Sequence, residues 1–120
     1  MNFDNYTIKS QEAIQRAQQL AQGLGQQDIQ VEHIFKGIQE VDNNVLPFVL
    51  KKLQVNTATL SQAVDKALAS YPKVQGGQMS LSRTAGEVLL EASNIAKKRN
   101  DEYVSIEHLL LAIFKVKNQV

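Results

Sequence analysis

The chain contains no cysteine and only two histidines, His33 and His108. Disulfide frameworks and thiolate metal sites are therefore excluded, and few nucleophile–base pairs remain for catalysis. No apolar run approaches the roughly 20 residues of a membrane span, so a hydrophobic content of 43% is that of a soluble globular chain. Charge of one sign is lacking too. Thirteen basic against twelve acidic side chains leave a net charge of +1, and no global field draws nucleic acid or an anionic membrane. The local basic cluster Lys97-Lys98-Arg99 is followed by Asp101 and Glu102, the pattern of a solvated helix end. The phosphate loop GxxxxGK[ST], the GxSxG elbow, the HExxH pair and the GxGxxG turn are all absent. No catalytic residue, resident metal or cofactor is expected of this chain. No basic, apolar and small-residue leader precedes Met1-Asn2-Phe3, and with the missing cysteines this predicts a cytoplasmic protein.

What is present is a duplication. Val31-Glu32-His33-Ile34-Phe35-Lys36-Gly37-Ile38 recurs 75 positions later as Ile106-Glu107-His108-Leu109-Leu110-Leu111-Ala112-Ile113. The same shift carries Glu12, Ala17 and Ala21 onto Glu87, Ala92 and Ala96. Self-similarity at a fixed period indicates one supersecondary unit copied and packed on itself. At 120 residues the chain suffices for one domain, so two half-domains sharing one interior are expected: a first repeat over about 5–72, a joint over 73–81 and a partial second repeat over 82–120.

Periodicity predicts an all-α fold. Ala13, Ile14, Ala17, Leu20, Ala21 and Leu24 form one stripe of a helix over 7–24, capped by Thr7 and ended by Gly23 and Gly25. After a polar turn at Gln26-Gln27-Asp28, a second helix buries Val31, Ile34, Phe35 and Ile38. Asp42-Asn43-Asn44 offers turn and cap chemistry for a short third helix to about Leu53, in which Pro47 sits early enough to be tolerated. Asn56 and Thr57 precede a fourth, carrying Leu60, Ala63, Val64, Ala67 and Leu68 and stopped by Pro72. The joint Lys73 to Leu81, with Gly76-Gly77, shows no periodicity. Ser82 then replaces Thr7 as cap of a fifth helix with Val88, Leu89, Ala92, Ile95 and Ala96 inward, and Ser105 caps the sixth. Because Lys36 and Gln39 become Leu111 and Phe114, the sixth helix is expected to be the more central of the pair. Val120 aligns with Val45, so counterparts of the third and fourth helices are missing, and the natural domain is expected to continue.

The Glu-His pairs are the residues closest to chemistry. Adjacent helical residues point about 100° apart, so a pair cannot converge on one metal ion unaided. The plainer reading makes each glutamate a favourable charge at a helix start. Between these lies a third: Glu107 beside an apolar floor can accept the guanidinium or amide of an incoming peptide, and Glu32 can do so less well.

Phe3-x-x-Tyr6-Thr7 opening a helix, the doubled Glu-His-hydrophobic motif and the 75-residue repeat resemble the amino-terminal domain of the Clp family of AAA+ chaperones. The joint Tyr71-Pro72-Lys73-Val74-Gln75-Gly76-Gly77 with Leu81-Ser82 is similar to that of the ClpB, or disaggregase, branch. The resemblance implies two pseudo-symmetric repeats of up to four helices, tethered to a homohexameric ATPase ring that holds the ATP and magnesium. It implies binding of unfolded or aggregated polypeptide, and of adaptors in some members, with no nucleic-acid or membrane partner. Carried over residue by residue, it points to Thr7, Asp101 and Glu107 as a polar contact set. It also points to a neighbouring groove assigned here to Leu89, Ile95, Leu109 and Leu110. The ClpC branch, which binds adaptors or phosphoarginine-tagged proteins, implies Glu32 as a secondary contact.

Overall fold

The computed structural model describes residues 3–74 and 76–117. Met1, Asn2, Gln75 and Val120, which enter the reading above, lie outside them. The elements are α1 Ile8–Gly23, β1 Asp28–Ile29, α2 Val31–Val41, α3 Val45–Lys52, α4 Thr57–Ser70, β2 Ser80–Leu81, α5 Arg83–Lys98 and α6 Ile106–Lys117. The all-α class holds, since both strands are two residues long.

Helix starts follow the polar residues that precede them. Thr7, Asn56 and Ser82 accept the backbone N–H of Ser10, Thr59 and Ala85, so each satisfies a donor that the first turn leaves open. For α3 the cap is Asp42, whose two carboxylate oxygens take the N–H groups of Val45 and Leu46. The helices α2 and α6 are capped from inside: His33 Nδ1 accepts the Gln30 N–H and His108 Nδ1 accepts the Ser105 N–H. Ser105 therefore stands at the cap position, while the histidine supplies the acceptor.

The copies match beyond their helices. Gly25 ends α1 at φ 70° and Asn100, its counterpart, ends α5 at φ 58°, both left-handed. Next to each, Gln26 and Asp101 donate their N–H to the carbonyls of Ala21 and Ala96. Gln26 and Gln27 lie in the expected turn, but Asp28 and the last two residues of the joint enter a short parallel pairing, Asp28 with Ser80 and Ile29 with Leu81. Tyr6 bridges Val104 in the same sense. Because 6 shifts to 81 and 29 to 104, these two pairings are counterparts, and each crosses from one copy to the other. The ion pair Arg16–Glu40 between α1 and α2 recurs as Glu91–Lys115 between α5 and α6 with the signs exchanged.

Packing is closest between α1 and α2. A Cβ added at Gly37 would lie 2.2 Å from the Ala13 carbonyl oxygen, a contact that only a glycine permits. Helix α3 packs on α6 and α4 on α2, while α2 and α6 touch each other. The expectation that α6 is the more central helix is not met. Both carry fully buried faces, and Leu111 and Phe114 on α6 remain half-buried.

Candidate functional site

The turn from α5 to α6 gathers the polar residues singled out in the sequence. The N–H of Thr7 bonds the Val104 carbonyl, and the Val104 N–H bonds the Asn5 carbonyl, so the start of α1 is stitched to this turn. The Asp101 Oδ2 atom lies 2.8 Å from His108 Nε2. Glu107, one residue before that histidine, receives Arg99 Nη1 at 2.9 Å. Both carboxylates are open to water, with side-chain exposures of 48% for Asp101 and 42% for Glu107. The Arg99–Glu107 pair, exposed on both sides, is of a kind that contributes about 0–1 kcal/mol. Thr7 is half-buried, and its hydroxyl is engaged in the cap, accepting the Ser10 N–H and donating to Ser10 Oγ at 2.9 Å.

The apolar part of the expected site is corrected. Leu109 and Leu110 are wholly buried, since both point from α6 into the shared core, and they cannot line an open groove. Ile95 is half-buried against the core. Leu89 is buried but floors a shallow cleft of about 360 Å³ with Phe3, Tyr6, Gly86, Leu90 and Ser93. Leu90, 65% exposed, was missed because it lies off the helical stripe of α5. Its signal was the repeat itself: the counterparts of Gly86, Leu90 and Ser93 are Gln11, Gln15 and Gln18, so this surface is polar in one copy only.

A larger cleft, about 450 Å³, lies between the start of α2, the end of α6 and the α3–α4 connection. Phe35, Leu53, Val55, Leu60 and Phe114 wall it, with Glu32 and Lys117 at the polar end. Glu32 is only 8% exposed. Its carboxylate accepts the Tyr71 hydroxyl at 2.9 Å and lies 3.3 Å from Lys117 Nζ. The expected secondary contact is therefore already occupied by groups of the chain itself. Burial, with the adjoining Glu32 carboxylate, pushes the Tyr71 hydroxyl up to about 12.

A metal reading of the Glu-His pairs meets a direct obstacle. His33 places Nδ1 on the Gln30 N–H and Nε2 on Gln26 Oε1 at 2.7 Å, and His108 is engaged at both nitrogens likewise. Burial holds His33 below its ordinary pKa, so the neutral ring that these bonds require is the favoured one. Among the described residues no group of three potential ligands comes together.

Residues 5–120 match the family model of the Clp repeat (R) N-terminal domain. The chain belongs to that family. Among relatives of this Clp N-domain, the chaperone protein ClpB of Bacteroides thetaiotaomicron is 48% identical over 120 residues, covering 100% of this chain and 14% of that protein. ClpB of Porphyromonas gingivalis is 41% identical over 113 residues, 94% of this chain and 13% of that protein. The chain thus spans about one seventh of the length of these relatives. Among solved structures, the Hsp104 N-terminal domain of Candida albicans superposes with a TM-score of 0.82 at 22% identity, covering 96% of this chain and 79% of that one. The N-terminal domain of ClpV1 from Escherichia coli gives 0.85 at 19% identity, covering 98% and 72%. At such identities these two matches show the fold alone.

Proposed function

We propose that this Clp N-domain is the client-recognition module of a ClpB-type disaggregase, binding unfolded or aggregated polypeptide and passing it to a homohexameric ATPase ring in the cytoplasm. On this reading residues 5–72 and 82–120 are the two repeats and the parent's ATPase modules carry the ATP and magnesium. The observation that carries the reading is the identity with ClpB proteins along the whole chain, 48% over 120 residues. Two features of the surface support it. Asp101 and Glu107 stand in water within one turn of structure, available to the donors of a client chain. Beside the Thr7–Val104 stitch, the cleft at Leu89 and Leu90 offers apolar surface, worth about 25 cal/mol per Å² buried before ordering costs. Such a site binds weakly and tolerates many sequences, which suits a domain that releases what it catches.

The test is binding of permanently unfolded, fluorescently labelled casein to the chain, read by anisotropy. Asp101→Ala and Glu107→Ala are expected to weaken binding several-fold each with the far-ultraviolet circular dichroism unchanged. Wild-type affinity in both variants overturns the polar contact set. An adaptor or phosphoarginine reading through Glu32 is not favoured, because Tyr71 and Lys117 already hold that carboxylate.

A further inference from the structure

We infer that His33 is a proton-operated latch: its neutral ring, acting through Gln26, fastens the end of α4 to the turn between α1 and α2, and a proton on that ring releases it. The latch is independent of client binding, and every residue in it lies between positions 21 and 74. Its donors and acceptors assign one another. The Gln26 amide nitrogen lies 2.7 Å from the Leu68 carbonyl and 3.5 Å from that of Tyr71, and only an NH₂ group serves two carbonyls. Gln26 Oε1 then faces His33 Nε2 at 2.7 Å, so the ring proton sits on Nε2. Nδ1 is left as the acceptor that takes the Gln30 N–H at 2.8 Å. Both side chains are buried, His33 at 0% and Gln26 at 4% exposure, so bulk solvent does not replace a lost partner.

A second ring proton finds no acceptor in this network. On Nδ1 it meets the Gln30 N–H, two donors 2.8 Å apart, and the cap of α2 is lost. It also puts a positive charge inside the core at the positive end of the α2 dipole. Burial accordingly holds the ring below its ordinary value of 6.5, and the carboxylate of Glu32, next to it in the chain, opposes this only in part. That carboxylate is shared with the Tyr71 hydroxyl after α4 and with Lys117 of α6. The other charges on α2 are paired with its neighbours, Lys36 with Asp65 of α4 and Glu40 with Arg16 of α1, while Glu91 of α5 and Lys115 of α6 pair with each other. In the second copy His108 Nε2 faces the Asp101 carboxylate and Ser105 Oγ lies 3.1 Å from Nδ1, so an oxygen stands by each nitrogen of a protonated ring. The latch therefore belongs to the first copy. Its release frees the last turn of α4 and, with it, the start of the joint, whose Val74 N–H bonds the Gly25 carbonyl beside Gln26. Because the folded value is lowered, the latch is complete above pH 6.5. Opening takes up one proton, so it gains about tenfold per pH unit below 6.5 until the folded ring itself titrates.

Amide hydrogen exchange of the chain, resolved by segment and divided by the intrinsic rate at each pH, reads the opening. Between pH 7 and pH 5 the protection of residues 29–34 and 68–74 is expected to fall about tenfold or more, and that of residues 85–96 to stay within about twofold. His33→Asn removes the titrating ring and is expected to open more at pH 7, with no such dependence on pH. Gln26→Glu gives His33 the kind of partner that His108 has, and is expected to reverse the trend, with protection higher at pH 5 than at pH 7. Loss of equal size in residues 85–96 marks global unfolding and overturns the local latch. Wild-type protection that is unchanged with pH overturns it too, as does a dependence that survives in His33→Asn. If His33→Asn does not fold, Gln26→Glu decides alone: a fall like that of wild type overturns the assignment of the proton to His33.

Discussion

Asn100 and Gly25 solve the same problem with different side chains. Each ends a helix in the left-handed region, where a Cβ is strained and asparagine is tolerated better than most residues. Asn100→Gly is accordingly expected to stabilise the domain by about 0.5–1 kcal/mol, measured by urea unfolding. At this scale much was legible. Thr7, Asn56 and Ser82 cap the helices that their spacing announced, because an N-cap is a local bond between a side chain and a donor three residues on. The histidine caps were not legible. That Nδ1 of His33 and His108 would serve as acceptors depends on Nε2 finding Gln26 and Asp101, seven residues back across a turn whose shape the left-handed residue sets.

Among the elements, α3 depends most on its approach. It is eight residues long, contains Pro47 and draws little strength from propensity alone. Asp42 holds both Val45 and Leu46 N–H groups, the latter at 2.7 Å. Asp42→Ala should cost about 1–2 kcal/mol in chemical unfolding, while Asn44→Ala, whose side chain makes no cap bond, should cost much less. The strand pairs were invisible beforehand for a physical reason. Two residues are too few for an alternating pattern to register, and the partners lie about fifty or a hundred positions apart, so only the assembled fold reveals that Ile29 meets Leu81 and Tyr6 meets Val104. The same holds for the groove. Stripe positions such as Leu109 and Leu110 are inward by periodicity, and whether an inward face meets core or solvent is decided by the helix opposite.

For the whole molecule, the Glu32 cluster ties together parts that the chain keeps far apart. The start of α2, the residue after α4 and the last turn of α6 meet where Tyr71 and Lys117 converge on one buried carboxylate. Because folding raises the Tyr71 hydroxyl from 10.0 to about 12, the folded state keeps a proton that the unfolded chain releases. This contribution is complete below pH 10 and is lost as the pH rises through 12. Thermal melts between pH 9 and pH 12 are expected to show that loss, and Tyr71→Phe should make the decline shallower by removing the titrating group. A decline of equal steepness in Tyr71→Phe would exclude Tyr71 as its source. The sequence by itself determined the helices, most of their caps and the doubling, since all three are written in local spacing or in a shift of 75 that needs no coordinates. Tertiary structure alone decided which carboxylate stays in water. Glu32 and Glu107 are identical in motif, yet Tyr71 and Lys117 fold over the first while, among the described residues, the second pairs with the exposed Arg99. Burial is a property of what packs on a residue and not of the residue's own neighbours in the chain, which is why the two copies share one pattern and present different surfaces.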